Sequence, residues 1–125
     1  MTRFFLWATA LVFAGFGLWG LMDPDAMVIK FGIILNDPNG RTFVRASYGG
    51  FLIGAGTLFG WCALANQRYR FGLVAVIALT LPILVSRLIG IAVDRGTSAY
   101  HLSYVSIELV GVAIAALLLR TNTKS

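Results

Sequence analysis

Four apolar runs divide this chain and constrain its fold more than any other feature. They cover residues 4–22, 42–65, 71–93 and 102–119, and each is close to the ~20 residues that a helix needs to cross the hydrocarbon core of a bilayer. Helices satisfy their own backbone groups where no water is present. Charged residues are 12% of the 125 residues, about half the fraction usual in soluble domains. The sequence therefore predicts one all-α domain over residues 1–125, an integral membrane four-helix bundle in contact with the lipid bilayer.

Basic residues near the ends of the runs predict how the bundle is threaded, because arginine and lysine in short loops favour the cytoplasmic side of a membrane. One side of the predicted bundle carries basic charges without acidic ones, at Arg3, Arg68, Arg70, Arg120 and Lys124. The other side mixes both signs. Both termini are therefore expected in the cytoplasm, and the long first loop, residues 23–41, is expected in the periplasm.

That first loop contains signals for structure of its own. It opens on Asp23-Pro24-Asp25 and closes on Asn36-Asp37-Pro38, which are typical of turns and helix caps. Residues 26–35 between them are mostly apolar but are only about half as long as a membrane span. They predict a short interfacial helix or a lid over the outer mouth of the bundle, with a hydrophobic loop packed over the bundle as the alternative.

Glycines concentrate in the second apolar run and have a counterpart in the fourth. Small residues spaced four apart let two membrane helices approach closely. This spacing predicts helix packing, within the bundle or between subunits of a homo-oligomer, and a glycine-lined ligand groove is the alternative. The glycines concerned are Gly49, Gly50, Gly54, Gly56 and Gly60 in the second run and Gly111 in the fourth.

Two charges lie inside the last two runs, where a bilayer disfavours them unless they are paired or hydrated. Arg87 is six residues in from Val93, and Glu108 is six residues in from Leu102. At ~1.5 Å per residue both are ~9 Å inside the outer boundary, so an ion pair between them is expected. The pair is interpreted either as a device that fixes helix register or as a binding or proton-linked site.

Other polar residues share the outer level of the predicted bundle with this pair. Arg45 would lie slightly higher, and its charge gives the cluster an excess of positive charge that an anionic head group could balance. His101 shares a helical face with Tyr104 and Glu108, and is interpreted as an interfacial histidine. The predicted binding or structural polar cluster comprises Arg45, Tyr48, Arg87, Asp94, Tyr104 and Glu108.

Several kinds of site are disfavoured by the residues available. With one histidine, one cysteine and one embedded carboxylate, the chain lacks the ligands for a zinc or di-iron centre, and no metal or cofactor is expected. The sole histidine has no motif of a nucleophilic triad around it. The net charge of +5 is scattered between the runs, whereas a nucleic-acid footprint needs basic residues clustered on one face. No nucleic-acid partner is expected.

Two elements of the sequence carry a family resemblance. They are Arg45-Ala46-Ser47-Tyr48-Gly49-Gly50 and Ser86-Arg87-Leu88 with Gly90, Asp94 and Gly96, followed by a glutamate in the last run. Over nearly its whole length the chain resembles the bacterial four-helix membrane proteins catalogued as domain of unknown function 4345. The resemblance implies a multi-pass protein of the bacterial inner membrane with no established activity.

Three functions are compatible with these features. The first is a non-enzymatic membrane protein that binds a small amphiphile, a lipid or a membrane protein partner, with Arg87 and Arg45 facing an anion and Glu108 as counter-ion. The second is a small proton-coupled transporter or exporter that acts as a dimer through the second run. The third is an enzyme on a membrane-dissolved substrate, with Tyr48, Tyr104 or Glu108 as the acid, although no recognised catalytic motif supports it.

Overall fold

A computed structural model describes residues 1–95 and 99–122, and over these residues the chain is all-α without a strand. The chain divides into two compact units, Met1–Asn66 and the part from Gln67 onward. The helices are α1 (Thr2–Met22), α2 (Pro24–Ile29), α3 (Pro38–Val44), α4 (Phe51–Ala63), α5 (Tyr69–Asp94) and α6 (Ala99–Asn122).

Three helical stretches in the described part of the chain are long and apolar enough to cross a membrane: Thr2–Met22, Asn66–Asp94 and Ala99–Thr121. Only 22%, 17% and 11% of their most apolar windows are buried inside the protein. Side chains such as Leu11, Ile89 and Leu117 are more than half exposed. Such outward-facing apolar surface is what a bilayer would cover, since soluble proteins rarely expose large apolar patches.

The second apolar run differs from the single helix expected over residues 42–65. Helix α3 leads into a π-helical segment, Arg45–Gly50, which leads into α4. These segments have 7, 6 and 13 residues, so no single regular helix there reaches the length of a span. A π segment has i→i+5 hydrogen bonds in place of i→i+4 bonds, and such segments are frequent at functional sites.

In the first unit, α1 packs against α4 and the π segment. A Cβ at Gly17 would lie 2.8 Å from the carbonyl oxygen of Gly49, which is a distance that real Cβ atoms do not tolerate. The Phe13 and Phe59 rings meet edge to face with their centroids 5.1 Å apart. Close backbone contact and interlocked aromatic rings therefore hold these elements together.

The loop between α1 and α3 contains one short helix. Helix α2 begins because the Asp23 carboxylate accepts a hydrogen bond from the backbone N–H of Ala26 at 3.2 Å, and α3 begins in the same way at Asp37, as N-caps do. Helix α2 ends at Ile29, and Gly32 follows with φ +82°. Only the first part of the apolar stretch 26–35 is therefore helical.

The second unit is built from α5 packed against α6. Helix α5 ends at Asp94, after which Arg95 adopts a left-handed conformation with φ 55°. A left-handed residue breaks the helical hydrogen bonding and ends the helix. The observed bounds of both helices lie within three residues of the apolar runs 71–93 and 102–119.

Candidate functional site

An ion pair joins α5 and α6 at the two charges that lie within their apolar sequences. The Arg87 guanidinium donates from Nη2 to Glu108 Oε1 at 2.9 Å, and from Nε to both carboxylate oxygens at 3.2 and 3.3 Å. The side chains are only 21% and 12% exposed, respectively. Two-point contact of this kind fixes the orientation of both groups as well as their distance.

His101 extends the ion pair. Its Nδ1 lies 3.0 Å from Nη1 of Arg87. A guanidinium has five N–H donors and no acceptor, so Arg87 must donate and His101 Nδ1 must accept. The imidazole is therefore neutral in this arrangement, with its proton on Nε2.

Tyr104 completes the group on α6. The Cζ atom of Arg87 lies 5.2 Å from the centroid of the Tyr104 ring, within the range of a cation–π contact. His101, Tyr104 and Glu108 follow one another at i, i+3 and i+7, which places them on one helical face. We call Arg87, His101, Tyr104 and Glu108 the polar cluster.

The polar cluster has no net charge when His101 is neutral, since the charge of Arg87 balances that of Glu108. These contacts of Arg87 use three of the five guanidinium N–H groups, on Nε, Nη1 and Nη2. Within the described part of the chain, one N–H on each terminal nitrogen is not used by these contacts. Because Arg87 is also incompletely buried, a polar group could reach these two N–H donors.

Three other residues were predicted for the cluster, and each is described within its own unit. Asp94 is the last residue of α5 and is exposed. Arg45 and Tyr48 belong to the first unit, where both lie in the π segment and are exposed. The guanidinium Nη1 of Arg45 donates to the carbonyl oxygen of Leu21. A cation at this position satisfies a carbonyl that the end of α1 leaves without a helical partner.

A second set of charges lies in the first unit. Arg41 Nε and Asp25 Oδ2 form an ion pair at 2.9 Å, and Arg41 Nη2 donates to the Leu35 carbonyl at 3.2 Å. These side chains are 40% and 47% exposed, so water screens the pair more than it screens Arg87–Glu108. Lys30 Nζ lies 4.2 Å from the centroid of the Trp19 ring. The contacts join α2, α3 and the end of α1.

The glycines of the second apolar run fall into two groups. A Cβ at Gly49 would lie 3.1 Å from backbone atoms of Leu21, and one at Gly56 would lie 2.8 Å from the carbonyl oxygen of Ala10. A Cβ at Gly60 would have more room, because its nearest neighbour, the Trp7 ring, would lie 3.4 Å away. In contrast, a Cβ would meet no atom within 4 Å at Gly50, Gly54 or Gly111.

His101 is the member of the polar cluster whose contact with Arg87 the sequence did not predict, although it was interpreted as an interfacial histidine on the same helical face. Its spacing from Tyr104 and Glu108 was the available signal, because it puts all three on one face. Among the described residues, no group of three histidine, cysteine or acidic side chains could hold a metal ion. The chemistry that the cluster offers is hydrogen bonding, charge and proton uptake.

The chain matches a family of unknown function. The family model described as Domain of unknown function (DUF4345) matches residues 1–119, which confirms the resemblance seen in the sequence. No curated protein matches the chain, and no solved structure does.

Proposed function

Because this chain belongs to the DUF4345 family, whose description assigns no activity, we propose a function from its own polar cluster: binding the polar headgroup of a lipid or small amphiphile within the membrane. The observation that carries the proposal is the Arg87–Glu108 pair, held between two helices that are apolar enough to cross a bilayer. Ionisable groups at such positions are rare and commonly mark binding or transport sites.

The geometry supports binding beyond a purely structural ion pair. A register-fixing pair needs only its two partners, whereas Arg87 also contacts an imidazole and lies over a phenol ring. The guanidinium retains donors beyond those contacts, and a phosphate or carboxylate can accept two of its N–H groups at once. A headgroup is therefore the type of ligand that fits the cluster.

The test compares two neutralised ion pairs in the same protein. The double variant Arg87→Gln/Glu108→Gln removes the cluster charges without leaving one unpaired, and Asp25→Asn/Arg41→Gln does the same to the ion pair of the first unit. Immobilised protein in neutral detergent is incubated with radiolabelled phosphatidylglycerol or phosphatidylethanolamine. The wild type and the first-unit variant should retain lipid, and the cluster variant should lose most of it. Equal retention by all three would refute the proposal.

The proposal includes a location and a topology. We place the protein in the bacterial inner membrane with four spans, the second formed by α3, the π segment and α4 in succession. Both termini are cytoplasmic, and residues 23–41 lie on the periplasmic side. The predominance of basic residues at Arg3, Arg68 and Arg70 supports this orientation. A homo-oligomer that packs through Gly50 and Gly54, where a Cβ would meet no atom within 4 Å, belongs to the same proposal.

A second candidate function is proton-coupled transport, and the contact between Arg87 and His101 favours it. A histidine that changes charge beside an intramembrane ion pair is a common component of proton pathways. Proteoliposomes loaded with a pH-sensitive dye would test it. Substrate-dependent proton movement that the double variant Arg87→Gln/Glu108→Gln abolishes would support transport, and no proton movement across a broad panel of compounds would count against it.

A further inference from the structure

His101 and Arg87 make a contact that can exist in only one protonation state. Nδ1 of His101 accepts from Nη1 of Arg87 at 3.0 Å, and it needs its lone pair to do so. An imidazolium carries a proton on both nitrogens and accepts at neither. Proton uptake at Nδ1 therefore breaks this hydrogen bond and places a second cation beside the guanidinium.

The same event changes what the cluster can bind. With His101 neutral, Arg87 and Glu108 balance each other and one guanidinium N–H is occupied by the imidazole. With His101 protonated, the cluster carries two positive charges and one negative charge, and the Nη1 hydrogen is released. We propose that protonation of His101 opens the polar cluster to the anionic headgroup of a lipid, so that the site binds phosphate-bearing lipid more tightly in acid than near neutral pH.

The charged groups on the elements around His101 determine the charge of the cluster once the imidazole is protonated. Helix α5 is the element packed against α6 in this unit, and it contributes Arg87, with Asp94 and Arg95 at its end. Glu108 is bound to Arg87 through both oxygens. The titratable and charged residues that contact Arg87 or His101, or that lie within seven residues of His101 in the sequence, are Arg87, Asp94, Arg95, Tyr100, Tyr104 and Glu108.

The inference rests on the proposed headgroup function. It adds that the headgroup is anionic and that pH controls how tightly the cluster binds it. One new charge-assisted hydrogen bond changes an affinity by about tenfold or more. A difference of this size is measurable by lipid retention.

The test of this inference substitutes His101, the only histidine of the chain. Wild type purified without a histidine tag, His101→Gln and His101→Lys are compared for retention of phosphatidylglycerol at about pH 5.5 and about pH 7.5. Glutamine can accept from Arg87 but gains no proton, and lysine is cationic at both pH values. We expect wild type to bind about tenfold more tightly in acid, His101→Gln to bind weakly at both values, and His101→Lys to bind tightly at both.

Nitrogen NMR of protein labelled at histidine adds a readout that does not depend on binding. Near pH 7.5 the single imidazole should show an unprotonated Nδ1 and a protonated Nε2, and it should become doubly protonated on acidification. A proton on Nδ1 near neutral pH would contradict the contact and overturn the inference.

The outcomes separate this inference from the proposed function. Control by His101 is wrong if the wild type retains equal amounts of lipid at both pH values, or if His101→Gln still shows the pH effect. Either result is compatible with headgroup binding. Retention no greater than that of Arg87→Gln/Glu108→Gln at either pH overturns both. Binding of inorganic phosphate is measured in parallel. If phosphate binds as tightly as phosphatidylglycerol does, the ligand is a soluble anion and the inference of a lipid ligand is wrong.

Discussion

Arg87 and Glu108 are single residues whose effects on stability should be strongly coupled. Glu108→Gln leaves a largely buried guanidinium without its carboxylate, so we expect a loss of about 2 kcal/mol in the free energy of unfolding. Arg87→Gln should cost a similar amount. The double variant should cost much less than the sum, because no unpaired charge remains. Reversible unfolding in mixed detergent micelles measures all three, and strictly additive losses would contradict the pairing.

Gly54 and Gly56 provide a second comparison between residues, since they lie two positions apart on α4 and point in different directions. A Cβ at Gly56 would lie 2.8 and 2.9 Å from backbone atoms of Ala10 and Ala14, whereas one at Gly54 would meet nothing within 4 Å. Gly56→Ala should therefore lower the free energy of unfolding by about 1–3 kcal/mol. Gly54→Ala should leave it unchanged or raise it by up to ~1 kcal/mol. Equal effects would contradict the packing of α1 on α4.

The residues of the site differ in how far sequence could predict them. Because the rise per residue of a helix is constant, counting residues from the ends of the apolar runs predicted that Arg87 and Glu108 lie at the same depth. In the structure Arg87 Nη2 lies 2.9 Å from Glu108 Oε1. The contact to His101 depends on the rotation of α6, which a count of depth does not report. The acceptor of Arg45 is a main-chain carbonyl, and every residue has one, so sequence offered no signal for it. Whether Arg45 joins Arg87 stays a prediction.

At the scale of elements, hydropathy located α1, α5 and α6 well, and described the second apolar run incompletely. In a run that is apolar on all faces the hydropathy pattern has no period, so it contains no information on the number of residues per turn. The π segment Arg45–Gly50 arises where the backbone of Tyr48 and Gly49 comes close to α1: a Cβ at Gly20 would lie 3.0 Å from the carbonyl oxygen of Tyr48. Such a contact depends on tertiary packing.

The loop between α2 and α3 gives a prediction at this scale. Ile34 is 71% exposed and Ile29 is 60% exposed, and apolar side chains on a loop beside membrane helices favour the interface. In a Cys62→Ala background, spin labels are placed at Ile34→Cys and, as the matched control, Asn39→Cys. Oxygen should reach the label at position 34 better than a soluble nickel complex does, and the reverse should hold at position 39. Equal nickel access at both positions would show that the loop does not enter the interface.

At the scale of the whole molecule, the number of spans determines where the termini lie. Three spans place the N and C termini on opposite sides of the membrane, and four place them on the same side. Green fluorescent protein fused to either terminus should fluoresce in cells, and alkaline phosphatase inserted after Asn36 should be active. Active alkaline phosphatase at the C terminus would contradict the four-span arrangement and the assignment of α3, the π segment and α4 as one span.

Native mass spectrometry of the protein released from its own membrane reports whether the polar cluster of α5 and α6 holds the headgroup of a lipid or small amphiphile, as we claim. We expect an adduct of lipid-like mass on the wild type and on Asp25→Asn/Arg41→Gln, and its loss from Arg87→Gln/Glu108→Gln. The same adduct on all three proteins, or none on the wild type, would contradict the claim.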